Sequence, residues 1–174
     1  MKINDYQKAA LKTARYPNVG ANLNYPVLGL CGELGELLRE QYLNKMSNKL
    51  VDEAGDVLWY IAVVAHELKL KLTDLLAMVD IYVESLDKAQ EALTEMAKEI
   101  HMLNAPLMHA VANGTEIANV WKKAQRDDDG VLSLARAEAI KFRLACTLVA
   151  LCAYLTECGI LLEVVVAYNI EKLN

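Results

Sequence analysis

The chain has 174 residues, 55% of them hydrophobic and 24% charged, with only 3 Pro and 8 Gly; this mix favours helices and is long enough to bury a core as one large domain or two small ones. The net charge of −5 supplies no field that would attract a nucleic-acid backbone, and no Lys or Arg run resembles a phosphate-tracking groove, so no nucleic-acid polymer is expected as a partner. The longest uncharged stretch, residues 144–156, falls short of the ~20 residues a membrane-spanning helix needs, so it reads as a buried helix and no membrane is expected as a partner.

Helix-period patterning covers nearly the whole chain and no alternating strand stands out, which predicts an all-α architecture. Residues 2–15 read as a first amphipathic helix rather than a secretory signal, ending before Tyr16-Pro17, with a turn-rich loop over residues 18–24. Pro26 then sits in the first turn of a second helix, where proline is tolerated. That helix carries Glu33 and Glu36, spaced i, i+3 on one face and set among Leu28, Leu30, Leu34, Leu37 and Leu38. Gly29, Gly32 and Gly35 each cost it up to ~1 kcal/mol relative to Ala, which predicts close approach by a neighbouring backbone or a ligand.

A break is expected at residues 45–48, and a second acidic helix over about residues 49–70. It carries Glu53 and Asp56 with the same i, i+3 spacing, among Val51, Val57, Leu58, Ile61 and Ala62. Thr73-Asp74 can cap the helix that follows. Cys31, Cys146, Cys152 and Cys158 lie in apolar helical context, which suits reduced thiols in a cytoplasmic compartment; the last three step about 600° along a helix and do not converge as zinc ligands would.

The second half reads as a degenerate copy of the first, giving units 1–88 and 89–174 that pack as a pseudo-dimer. Ala105-Pro106-Leu107-Met108 parallels Tyr25-Pro26-Val27-Leu28, so Glu33 aligns with Asn113 and Glu36 with Glu116. Further on, residues 144–154 parallel 57–67, placing Ile140 and Arg143 where Glu53 and Asp56 stand, and residues 160–173 parallel 71–84. On this reading the acid set is complete only in the first half.

If the two acidic helices are neighbours, four carboxylates converge. At about 6 Å and an effective dielectric near 20, each pair repels by roughly 3 kcal/mol, and oxygen-only ligands at this density suit Mg²⁺ or Mn²⁺. Asp52 and Glu40 extend the acid set but point away from its main face and are expected to be solvated. Trp59 is expected in the core, and Tyr60, four residues after Asp56, as a wall of the pocket. His66, His101 and His109 fit no nucleophilic triad, and the Glu-x-x-His pairs of a di-iron bundle are absent from the sequence.

The run from Tyr25 through Leu28-Gly29-Leu30 to Glu33-Leu34-Gly35-Glu36, followed by Asp52-Glu53-Ala54-Gly55-Asp56-Val57-Leu58-Trp59-Tyr60, resembles the MazG-type all-α nucleoside triphosphate pyrophosphohydrolases. Tyr6-Gln7-Lys8-Ala9-Ala10 is similar to the opening helix of phage and bacterial members, and the clear match spans about residues 5–80. The ending Asn169-Ile170-Glu171-Lys172-Leu173 resembles the family's Asn-x-x-Lys-Leu, which the first half lacks, having Asp80 and Val83 instead. Trp121-Lys122-Lys123-Ala124-Gln125-Arg126 resembles the basic stretch that follows the family's first acidic pair.

The resemblance implies hydrolysis of a nucleoside or deoxynucleoside triphosphate to monophosphate and pyrophosphate, with two or three Mg²⁺ or Mn²⁺ ions held by Glu33, Glu36, Glu53 and Asp56. Glu36 is the expected general base, with Glu33 beside it as the second catalytic acid. Lys172 would hold outer phosphates; Lys122, Lys123 and Arg126 would either do the same or form a solvated basic face; Asn169 would bond base or sugar or cap a helix. The base leans to purine, guanine first, on resemblance to phage members. The resemblance also implies a homo-oligomer, dimer or tetramer, in the cytoplasm (of the host, for a phage-encoded chain). A dimeric-type dUTPase or dCTPase is the nearest alternative, phosphoribosyl-ATP pyrophosphohydrolase a more distant one, and a non-enzymatic helical nucleotide-binding or assembly module the alternative of another class.

Overall fold

The computed structural model describes residues 1–43 and 47–173. Among these it is all-α: α1 (Ile3–Lys12), α2 (Asn24–Leu43), α3 (Ser47–Glu67), α4 (Leu72–Ala77), α5 (Leu86–Glu99), α6 (Pro106–Asp127), α7 (Leu134–Glu157) and α8 (Leu162–Leu173), with one isolated bridge between Lys2 and Ser85. Helix α2 owes its place to an apolar stripe, Val27, Leu30, Leu34 and Leu37, whereas α7 is buried all round, with every residue from 144 to 155 inside the core region. One continuous core holds residues of both halves, from Ile3 to Val166.

Element boundaries follow local bonding. The first helix ends at Lys12, short of residue 15, and Trp59 then donates its indole N–H to Ala10 O and to Thr13 Oγ1. Of the break expected at residues 45–48, Lys45 and Met46 lie outside the described residues, while Asn48 already belongs to α3. That helix stops at Glu67 because Lys69 turns left-handed, at φ 63°. Before α4, Asp74 reaches back to accept from Lys71 N at 2.7 Å, and Thr73 accepts from Asn4 Nδ2 at 2.9 Å.

The element order α1–α4 repeats as α5–α8, and the same bonds recur. Ile3 N donates to Glu84 O at 2.8 Å and Leu86 N to Met1 O at 3.2 Å, a reciprocal exchange between the starts of α1 and α5. Gln7, on α1, donates to Leu70 O and accepts from Leu72 N; Gln90, on α5, donates to Ile160 O and accepts from Leu162 N. Both glutamines are buried with both amide atoms satisfied, which ties each first helix to the turn before α4 or α8. Where α2 crosses α6, Leu34 lies on Gly114, the residue with which the expected alignment of the halves pairs it, so that a Cβ there would come 2.1 Å from Leu34 Cδ1.

These bonds correct the expected register of the second half. Leu70 corresponds to Ile160 and Leu72 to Leu162, and the buried positions of α3 and α7 match on the same footing, Ala54 with Leu144 and Ile61 with Leu151. Glu53 and Asp56 therefore correspond to Arg143 and Cys146, not to Ile140 and Arg143. Asn169 and Lys172 correspond to Val79 and Tyr82, not to Asp80 and Val83. The two C-terminal helices cross over, α8 packing on α3 and α4 on α7.

Candidate functional site

Helices α2 and α3 pack side by side and bring Glu33, Glu53 and Asp56 together, each half-buried, with one carboxylate oxygen from each inside a 4.8 Å group. Glu36 stays exposed and outside that group, though its charge reaches all three. From the other half, α8 closes the set. Lys172 Nζ donates to Asp52 Oδ1 and Asp56 Oδ2, each at 2.6 Å. Asn169, only 1% exposed, donates to Asp56 Oδ1 at 3.3 Å and accepts from Tyr6 Oη at 3.0 Å. The close approach of α8 to α3 depends on Gly55, where a Cβ would stand 3.0 Å from Asn169 Cβ.

Of the two acids expected to be solvated, Asp52 stays a third exposed and pairs with Lys172, whereas Glu40 is 3% exposed with Arg39 at 4.0 Å and Lys49 at 3.9 Å. Of the three glycines expected to admit a neighbour, Gly29 alone does so: a Cβ there would lie 2.0 Å from Tyr60 Cε1, whereas nothing approaches Gly32 or Gly35 within 4 Å.

Burial first, then the charges of Asp56, Glu36 and Glu53, push the Glu33 carboxyl up to about 7, with Lys172 pulling the other way. Burial and neighbouring acids also raise Glu53, and burial raises Asp56 against the hydrogen bond and charge of Lys172. Burial would lower the Lys172 ammonium, but its bonds to Asp52 and Asp56 and their charges outweigh that and raise it. All three carboxyls thus hold protons more tightly folded than unfolded. The resulting stabilisation is complete below the unfolded range near pH ~4.3 and is lost as pH rises through the folded value, about 7 for Glu33. Discounted for solvent screening, this is on the order of 1 kcal/mol, or roughly 2–4 °C. Calorimetry in chelator is expected to give a Tm higher by that amount at pH 5 than at pH 7.5, and a smaller difference in Glu33→Gln.

The acids open into a cavity of about 350 Å³ whose lining includes Arg15, Tyr16, Tyr25, Tyr60, Asp56 and Lys172. Tyr16 and Tyr25 stack at 4.8 Å between centroids, Tyr60 tilts toward Tyr25 at 6.5 Å, and Trp59 meets the edge of Tyr60. Trp59, expected in the core, is half-buried: it packs against the core on one side and lines the cavity on the other, and Tyr60 forms a cavity wall. Glu67 anchors the loop between α1 and α2, accepting from Tyr16 Oη at 2.5 Å, Gly20 N at 2.7 Å and Asn22 N at 2.8 Å. Arg15 and Tyr16 were not legible as site residues, because only the folded loop between α1 and α2 brings them to the cavity, where Tyr25, in the first turn of α2, joins them. Lys122, Lys123 and Arg126 do not line this cavity; all three are exposed on α6, and Arg126 pairs with Asp127.

In the second half Arg143 Nη1 donates to Asn113 Oδ1 at 3.0 Å, so an amide and a guanidinium stand where the first half has Glu33 and Glu53. Neither of these groups offers a carboxylate to a cation. In the first half the donors are hard carboxylate oxygens within one ion's reach, with no thiolate or imidazole among them, and they fit Mg²⁺ or Mn²⁺.

No family model matches the chain, and no solved structure matches it. It is similar to the Gene 37 protein of Mycobacterium phage L5, 35% identical over an alignment of 88 residues, with 42% of this chain and 77% of the phage protein covered.

Proposed function

We propose that this chain, which belongs to the family of the phage L5 Gene 37 protein, is a MazG-type pyrophosphohydrolase that splits a nucleoside or deoxynucleoside triphosphate into monophosphate and pyrophosphate. The observation that carries the reading is the convergence of Glu33, Glu53 and Asp56 beside a lysine from the opposite half, at the mouth of an aromatic cavity. The recurring clamps and the reciprocal bridge support descent by tandem duplication, with one working site kept and the other lost.

A divalent ion held by Glu33, Glu53 and Asp56 would neutralise the polyphosphate and acidify a bound water. The chain's own groups do the rest. Lys172 and Arg15 face the cavity as cations for phosphate oxygens, and Lys172 can exchange its carboxylate partners for them. The Tyr25 and Tyr60 rings offer flat apolar walls to a base, with purine, guanine first, favoured by the resemblance to phage members. Asn169, buried and bonded to both Asp56 and Tyr6, orients the Asp56 carboxylate. Glu36, exposed at the edge of the acids, is free to take a proton from the attacking water.

The test is a panel of the eight common triphosphates with Mg²⁺ or Mn²⁺, scored for pyrophosphate against orthophosphate. Monophosphate and pyrophosphate in equal amounts from a subset of the panel are expected. Orthophosphate as the product, or binding without turnover across the panel, overturns the reading; the latter outcome is that of a nucleotide-binding module.

A further inference from the structure

The two glutamine clamps floor two open grooves built from equivalent residues but opposite in charge. The first, of about 390 Å³ beside α1 and the turn into α4, is lined by Gln7, Lys8, Lys69 and Lys71. The second, of about 480 Å³ beside α5 and the turn into α8, is lined by Gln90, Glu91, Glu95 and Leu161. Lys8 and Glu91 each follow the clamping glutamine. The ion pairs on the two helices are inverted as well: Lys8 Nζ meets Asp5 Oδ1 at 3.2 Å, and at the corresponding positions Lys88 Nζ meets Glu91 Oε2 at 3.2 Å. Glu95 pairs with Lys98, which leaves the second groove acidic on balance with Asp87 at its rim. Where the first groove has Lys71 the second has Leu161, 62% exposed, an apolar lip on which lysine stems can lie.

We propose that two copies of this chain form a closed dimer in which the basic α1 groove of each copy seats on the acidic α5 groove of the other. Like grooves repel, so the contact between copies is first half to second half. In a two-fold dimer this contact forms twice and leaves neither groove open. This does not depend on the catalytic reading, since no groove residue named here lines the acidic cavity.

Sedimentation equilibrium on the full chain tests it, with charge reversal as the probe. At about 10 μM and ~100 mM salt a dimer is expected, weakened at least about tenfold by ~500 mM salt. Lys8→Glu with Lys71→Glu, and separately Glu91→Lys with Glu95→Lys, are each expected to raise the dimer dissociation constant at least about tenfold. Mixed one to one, the two variant chains carry matched grooves and are expected to associate within about threefold of the unmodified chain. A monomer up to about 100 μM, a variant that dimerises as tightly as the unmodified chain, or a mixture that stays monomeric while both variants keep their helical circular dichroism overturns the proposal.

Discussion

Asp56→Asn is expected to lower metal-dependent turnover by on the order of 10³-fold, while leaving the metal-free fold as stable as before or slightly more stable at pH 7.5. The carboxylate is one of three whose oxygens fall within 4.8 Å, and its charge raises both Glu33 and Glu53. Without a bound cation, removing that charge relieves repulsion, and Lys172 keeps Asp52 as its partner. With one, the change takes away a ligand. Pyrophosphate release and a melting curve in chelator read the two effects separately. Retained activity would show that Asp56 holds no metal, and a Tm lower by more than about 5 °C would show that its ion pair is structural, since that drop corresponds to well over 1 kcal/mol. Glu36→Gln, in parallel, is expected to abolish turnover yet keep the metal-induced rise in Tm, because Glu36 lies outside the oxygen group. Loss of that rise as well would make Glu36 a ligand.

The helices and both acidic pairs were legible because i, i+3 and i, i+4 spacing translates directly into a shared face. What the spacing within a pair does not give, and the spacing from the apolar stripe does, is depth. At 100° per residue, Glu33 stands roughly 80° from the centre of the Val27, Leu30, Leu34 and Leu37 stripe and Glu36 about 140°, so the stripe itself separates a half-buried acid from an exposed one. The crossing of α8 onto α3 was foreseen only through the split of motifs between halves, acids in one and Asn169 with Lys172 in the other. The aromatic walls stayed hidden because Tyr16 comes from a loop whose path is set by Glu67, some fifty residues further on, and it is against Tyr16 that Tyr25, in the first turn of α2, stacks. The register of the second half was misread for a related reason: α3 and α7 are both apolar enough to align at several offsets. The polar contacts of Gln7 and Gln90 at the turns fix a single one. Both glutamines stood in plain view as polar residues on apolar helix faces, the signal that would have found them.

Lys172→Met should move two measurements in opposite directions. The ammonium sits 2.6 Å from both Asp52 and Asp56, and it counteracts the upward pull on Glu33, Glu53 and Asp56. A divalent cation must compete with that charge for Asp56. Removing it is expected to tighten Mn²⁺ binding by roughly tenfold after solvent screening, read by titration of the paramagnetic ion without substrate. Turnover is expected to fall by about 10²-fold, as a charge-assisted phosphate contact is lost, and metal-free Tm at pH 7.5 to drop by a few degrees as the acids lose their counter-ion. A lysine that only held α8 against α3 would weaken metal binding and turnover together, because Asn169 and the Asp56 carboxylate it orients would shift with the helix. Opposite signs mark Lys172 as a tethered cation that yields its place to the metal; equal signs mark it as a strut.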